Sequence, residues 1–308
     1  MGLDLIIGVD GGGTKTVAWL AAHNEPDNIL GRGLAGPGNV RAAGFEVATA
    51  NIRVAINAAF ADAQLPRQCV TAACLSLAGA GRAQEQAQIT AWAENENLAD
   101  RIRVTTDAEP ILAAGSPENW GIAVICGTGS FAWGRSRTGE TARRGGWGYL
   151  LGDEGSAYAI ALAGLRAAAR TADGRANATV LLAQLQARLG AATPQGLIEK
   201  VYAPDMTRER IAEMAEMIFN AAESDSAAHE IIQRASAELA ELVASLAAGL
   251  GLRAQSYPLA LAGGVLLNQE AFRTEFLRQL NVLGVEPGEV TLVAEPVRGA
   301  IALARKMV

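Results

Sequence analysis

The chemistry legible in this chain starts at Asp10-Gly11-Gly12-Gly13-Thr14-Lys15, where a carboxylate is followed by three glycines, a hydroxyl and an amine. Glycines take positive φ freely and carry no side chain, so the N–H groups of such a turn can close on an anion such as phosphate. Thr14 adds a hydroxyl donor, and Asp10 stands where a carboxylate could hold Mg²⁺ beside phosphates. Lys15 is a counter-charge to which no role is assigned. Walker A spacing fails, because Lys would have to follow Gly13 directly. The dinucleotide fingerprint fails because Val17 onward alternates as a strand rather than a helix. The plain alternative is an ordinary Asp-Gly hairpin turn.

The same design returns at Cys126-Gly127-Thr128-Gly129-Ser130, between a buried apolar run from Gly121 and an alternating run to Gly134. Two such turns can grip a polyphosphate from opposite sides, which predicts two related β-rich halves around a nucleotide cleft. Arg101–Asp107 reads as a short strand delivering the Asp107 carboxylate at its C-terminal end, where open α/β sheets place their ligands. Asp107 could instead only cap the helix predicted over 108–114. In 143–158, glycines let the chain bend around a ligand, Trp147 offers a flat face for a sugar ring, and Asp153 and Glu154 offer acceptors for hydroxyls. The structural alternative is a loop stapled by Trp147 and Tyr149, with Asp153 capping the next helix. Gly263 and Gly264, in Ala262-Gly263-Gly264-Val265, could lie flat against an adenine or ribose.

The elements that must position these residues follow from periodicity. Helical spacing of Phe45, Ala48, Ile52, Ile56 and Phe60 predicts a helix over about 43–63, and Val70 to Leu77 a buried strand. The glycine and proline density of 31–40 predicts a loop. A polar helix is expected from about 83 to 97. Residues 156–251 read as alanine- and leucine-rich helices, with a stripe of Ile231, Ala235, Leu239, Leu242, Leu246 and Leu250, and with no residues suggesting chemistry. A last α/β unit follows: a strand at 257–261, the glycine turn, a helix from Asn268, a strand over 289–294 and a helix over 296–307.

At 308 residues the chain can build two cores. Half its residues are apolar and its formal net charge is −6, which argues against a nucleic-acid or acidic-membrane partner. No apolar run reaches the ~18 residues of a membrane span, and no secretory signal or myristoylation pattern follows Met1-Gly2, so a cytoplasmic protein is expected. Cys69, Cys74 and Cys126 lack C-x-x-C spacing and read as small buried hydrophobes. His23 and His229 lie in polar settings that suggest solvated surface.

In this order, the two glycine hairpins, the Thr106-Asp107 strand end and the Ala-Gly-Gly turn resemble the ASKHA group of sugar kinases, actin and chaperone ATPases. More narrowly the chain resembles the BadF/BadG/BcrA/BcrD family and its N-acetylglucosamine kinases, above all in Gly145-Gly146-Trp147-Gly148 and Gly152-Asp153-Glu154-Gly155-Ser156. That resemblance implies a duplicated, ribonuclease-H-like α/β fold of the actin/hexokinase type, with ATP and Mg²⁺ in a central cleft. The lobes would be 1–118 and 119–295, with the helix at 296–308 free to pack back on the first. It implies Mg²⁺ on Asp10 through water, and phosphates on Gly11, Gly12, Gly13 and Thr14 and on Gly127, Thr128, Gly129 and Ser130. Gly263 and Gly264 would border the adenosine, and Asp107 would act as catalytic base. Asn39, Gly146, Trp147 and Asp153 would contact the amino sugar, and the helical region would carry a homodimer contact. Phosphorylation of the 6-hydroxyl of N-acetylglucosamine is the implied reaction. Rivals are a glucosamine kinase, an iron–sulfur activator of a 2-hydroxyacyl-CoA dehydratase, and an actin-like ATP-binding protein.

Overall fold

The computed structural model describes residues 4–308; the Met1-Gly2 pair lies outside them. In chain order the strands and helices are β1 (Leu5–Gly11), β2 (Thr16–Ala22), β3 (Glu25–Ala35), α1 (Phe45–Asp62), β4 (Val70–Leu77), α2 (Ala83–Asn95), β5 (Ala99–Thr105) and α3 (Ala108–Gly115). Next come β6 (Gly121–Cys126), β7 (Ser130–Arg135), β8 (Thr141–Gly145), α4 (Ala157–Ala172), α5 (Val180–Leu189), α6 (Gly196–Val201), α7 (Arg208–Glu213), α8 (Ala215–Ala221) and α9 (Ser226–Gly249). The chain closes with β9 (Leu259–Ala262), α10 (Gly264–Asn268), α11 (Glu270–Val282), β10 (Val290–Leu292) and α12 (Val297–Arg305). Two compact units result: the chain up to Trp120 together with Val293–Val308, and Gly121–Leu292. No helix among the described residues is long and apolar enough to cross a membrane.

Each unit is built on a five-stranded sheet of one topology. The first runs β3-β2-β1-β4-β5 and the second β8-β7-β6-β9-β10. In both, three consecutive strands form an antiparallel meander, and the inner one then pairs in parallel with strands reached by helical crossovers. This is the duplicated actin/hexokinase-type α/β fold. The apolar runs of β1 and β4 are continuous because helices cover both faces of the first sheet. Ile7, Val9 and Leu75 pack with Ile52, Ile56 and Phe60 of α1, and Ile6, Ala72 and Cys74 pack with Val297, Ala300 and Ile301 of α12. Burying each large aliphatic side chain contributes roughly 1.5–3 kcal/mol, so α12 belongs energetically to the first unit. Its approach requires Gly8, where a Cβ would lie 2.6 Å from Ile301 N.

Four expectations need correction. The segment 31–40 is not loop throughout, because β3 continues to Ala35. A Cβ at Gly31 or Gly33 would collide with the carbonyl oxygens of Ala59 and Ala55, so these glycines exist for a helix–strand contact rather than for a turn. The glycine turn expected at 262–265 narrows to Gly263, at φ 92°, because the short helix α10 already starts at Gly264, ahead of the helix expected from Asn268. The α9 stripe is rotated: Ile232, Ala235, Leu239, Val243 and Leu246 are buried, while Ile231 and Leu242 are half-buried. His229 is exposed as expected, but His23 is partly covered, and its Nδ1 is buried without a partner.

Candidate active site

In the first unit, strand register lines up the chemistry. Asp10 of β1 pairs with Ser76 of β4, and Ser76 with Thr105 of β5, so Asp10 and the Asp107 junction emerge at the C-terminal edge of the parallel strands. The fully buried Ser76 donates its hydroxyl to Thr106 O at 3.1 Å and ties β4 to that junction. Beneath it, the buried Glu109 accepts from Thr105 Oγ1 at 2.6 Å and from Arg103 Nη2 at 2.7 Å. Asp107 occupies the N-cap position of α3 in helical conformation, yet its side chain makes no capping bond. That removes the capping reading. The Asp10 carboxyl is raised from 3.8 to about 7, chiefly by burial and then by the charge of Asp107, with Lys15 opposing. Burial and a neighbouring carboxylate both penalise charge on Asp10.

The turn beside them spans Gly12–Lys15 between the paired residues Gly11 and Thr16. Gly12 N donates to Lys15 O at 2.9 Å, and Gly12 O accepts from Gly38 N at 2.9 Å and Asn39 N at 3.0 Å. Gly13, Thr14 and Lys15 are exposed, and among the described residues their amides have no protein partner. Asn39 therefore sits against the turn. Its Oδ1 accepts from the amides of Arg41 and Ala42 at 3.0 and 3.1 Å, which aims its Nδ2 away from them.

In the second unit the turn is Gly127-Thr128-Gly129, closed by Gly127 N donating to Gly129 O at 2.9 Å. It rests on the start of α4: Ala157 N donates to Gly127 O at 2.9 Å, and Ser156, the N-cap, accepts from Ala159 N at 3.2 Å. The positive end of the helix macrodipole thus lies at the turn. Gly263 and Gly264 lie against it as well, since a Cβ at Gly263 would collide with Cys126 O and one at Gly127 would lie 3.7 Å from Gly264 N. Ser130 differs from its neighbours. It is buried, its N–H donates to Asp153 Oδ1 at 3.3 Å and its hydroxyl to Glu154 O at 2.6 Å, so both donors serve the fold.

Asp153 caps no helix. It is 4 % exposed at φ 62°, a conformation Asp tolerates better than most residues, and its Oδ2 accepts from Arg208 Nη2 at 2.8 Å. Gly146 joins the same cluster through its N–H, 3.1 Å from Ser130 O. Trp147 is 73 % exposed and staples no core. Glu154 Oε2 is buried with no partner, an acceptor awaiting a donor. The sequence reading missed Ser76 and Glu109, hidden in ordinary strand and helix patterns, and Arg208, which sits in the stretch read as free of chemistry.

The model of the BadF/BadG/BcrA/BcrD ATPase family matches residues 7–301. The N-acetylmuramic acid/N-acetylglucosamine kinase of Clostridium acetobutylicum is 29 % identical over 97 % of this chain and 98 % of its own length. The N-acetyl-D-glucosamine kinase of Dictyostelium discoideum is 29 % identical over 86 % of each chain. A solved protein of Chromobacterium violaceum, named as a candidate N-acetylglucosamine kinase, superposes with a TM-score of 0.76 over 98 % of this chain and 99 % of its own at 23 % identity, a likeness of fold. With the family model spanning nearly the whole sequence, this chain belongs to the BadF/BadG/BcrA/BcrD ATPase family.

Proposed function

We propose that the protein is an ATP-dependent kinase that phosphorylates the 6-hydroxyl of N-acetylglucosamine. The observation that carries the reading is the Asp10–Asp107 carboxylate pair beside a glycine turn whose amides at Gly13–Lys15 lack protein partners. The names of the two relatives support the amino sugar as acceptor.

Phosphoryl transfer asks little covalent chemistry of a protein; it asks for positioning and charge neutralisation. The amides of Gly13 and Thr14 and of Thr128 and Gly129 would hold the phosphates, the second set aided by the α4 dipole, while the amides of Gly12 and Gly127 close their own turns. Gly263 and Gly264 would flank the adenosine. Asp107 would accept the proton of the sugar hydroxyl as its oxygen attacks the γ-phosphorus, leaving ADP. Asn39, Gly146, Trp147 and Asp153 would orient the sugar, with Glu154 Oε2 as a further acceptor. A divalent ion fits the acidic pair, and Asp10 would hold Mg²⁺, which when bound neutralises charge on the phosphate oxygens. Among the described residues no three acidic, histidine or cysteine side chains gather, so water and phosphate would complete its shell.

Two of the three cysteines favour this reading over the iron–sulfur activator, while Cys69, expected to be buried, is only half-buried. Cys74 is fully buried with its thiol pushed up to about 12 by burial, and Cys126 is buried and raised the same way. Cluster ligands must be thiolates. The deciding experiment is a coupled ADP-release screen over N-acetylglucosamine, N-acetylmuramic acid, glucosamine, N-acetylmannosamine and glucose, with NMR locating the phosphate. Turnover of N-acetylglucosamine with phosphate on O6 is expected. Glucosamine turned over faster would replace the substrate, and ADP release indifferent to every sugar would end the kinase reading.

A further inference from the structure

Arg208 is the first residue of α7, a helix of the alanine- and leucine-rich segment, yet its guanidinium reaches the second glycine turn. Its Nη2 donates to Asp153 Oδ2 at 2.8 Å, and a Cβ at Gly129 would collide with that same nitrogen. Its planar group lies over the Tyr149 ring, 5.6 Å from the centroid. Asp153, in turn, accepts from Ser130 N. Arg208 therefore touches both the loop of Gly146–Gly155 and the turn of Gly127–Ser130.

The pair is poorly explained as a device for stability. Asp153 is almost wholly buried at positive φ, and Arg208 Nε is buried without a hydrogen-bond partner. Arg208 itself is only half-buried, and a buried carboxylate held by such a partner with one donor left over is seldom the most stable solution, so the pair calls for another reason. We propose that Arg208 is a positioning residue: through Asp153 it clamps the sugar-side loop onto the second glycine turn, fixing the acceptor geometry that the amino sugar meets. The catalytic consequence rests on the kinase reading; the clamp itself does not.

Two measurements keep these apart. Hydrogen exchange over 127–131 reads the clamp without any substrate. In Arg208→Met, which keeps the side chain's bulk and loses its charge, these amides should exchange faster than in the wild type. In steady state the same variant should raise KM for the sugar by about tenfold or more, the scale for removing a residue that orients a binding group, with kcat lowered less. A merely structural loss would lower kcat through the active fraction and leave KM in place. Arg208→Lys, which restores a donor to Asp153, should recover most of the loss. In an Asp153→Asn background the Arg208→Met change should add about nothing, because coupled residues are non-additive. Unchanged exchange over 127–131 in Arg208→Met, or losses that add in the double variant, overturns the proposal. If Arg208→Met does not fold, Asp153→Asn carries the same exchange measurement. A wild type inert toward every sugar defeats the kinase reading, and exchange still decides the clamp.

Discussion

In the first unit the link between paired strands is four residues long, Gly12 to Lys15, and backbone holds it: Gly12 bonds to Lys15, Gly38 and Asn39. In the second it is three residues, Gly127 to Gly129, and side chains with a helix start hold it: Ser130 ties to Asp153 and Glu154, Arg208 presses on Gly129, and the amide of Ala157 takes up the Gly127 carbonyl. The two glycine-rich turns differ in electrostatics as well. The first turn borders two carboxylates and one lysine, a place that wants a cation. The second borders a neutral ion pair and the positive end of α4, a place that suits an anion without one. Two copies of one fold thus carry turns of different electrostatics, and under the proposed function the first would serve metal and acceptor activation and the second phosphate and sugar.

The largest expected effect tests the first half of that contrast. Asp107→Asn keeps charge-independent packing and should leave ATP and sugar binding by calorimetry near wild type, while turnover falls about 10²-fold or more, the usual cost of losing a general base. Wild-type turnover would reduce Asp107 to a helix-start residue. The second test sets the turns side by side. An added methyl at Gly129 collides with Arg208 and approaches Asp153 Oδ2 to 2.8 Å, whereas one at Gly13 meets nothing within 4 Å. Gly129→Ala should lose about 1–3 kcal/mol in urea denaturation, the scale of overpacking, and Gly13→Ala should stay within about 0.5 kcal/mol. Equal losses would erase the difference in bracing.

The fold and the two turns were legible because local chemistry dictates them: β-branched runs with glycines and a hydroxyl between them read as strand, turn and strand. Asp107 was legible for the same reason. The fate of Gly31 and Gly33 was not, since glycine density reports only that something unusual happens; the carbonyls of α1 that demand it are some 25 residues away in sequence. Asp153 was legible as an acceptor in a bent glycine loop and illegible in its partner, because Arg208 lies 55 residues on, with no pattern to join them. Trp147 was read as staple or wall with nothing local to choose between them, and only its exposure removes the staple.

The acidity of the first site gives a third prediction. Asp10 titrates at about 7 in the folded protein against an ordinary 3.8. Below about pH 4 it is protonated in both states and costs nothing. As pH rises toward 7 the unfolded chain sheds that proton while the folded one keeps it, so this group's contribution lowers stability across that window and levels off above it. Metal-free protein, denatured in urea with EDTA, should lose stability between about pH 4 and 7 by about 1 kcal/mol or more from this residue. Asp10→Asn should abolish that slope while losing turnover. Magnesium added at pH 8 should recover stability in the wild type and not in the variant; a variant with the wild-type slope would place the titration elsewhere.

The smallest expected effect on the fold belongs to Trp147, and it probes the second half of the contrast. With 73 % of its surface exposed, on a loop bent by Gly145, Gly146 and Gly148 at positive φ, the ring contributes almost no buried area to the unit. Trp147→Ala should therefore stay within about 0.5 kcal/mol of wild type in denaturation. If the ring stacks on the sugar, KM for the sugar should rise about threefold to tenfold, the worth of one aromatic face, and KM for ATP should not move. Trp147→Phe, which keeps a face, should sit between. A sugar KM unchanged in Trp147→Ala would leave recognition to the buried cluster around Asp153, and would make the preorganised side of the second unit, rather than its exposed rim, the seat of specificity.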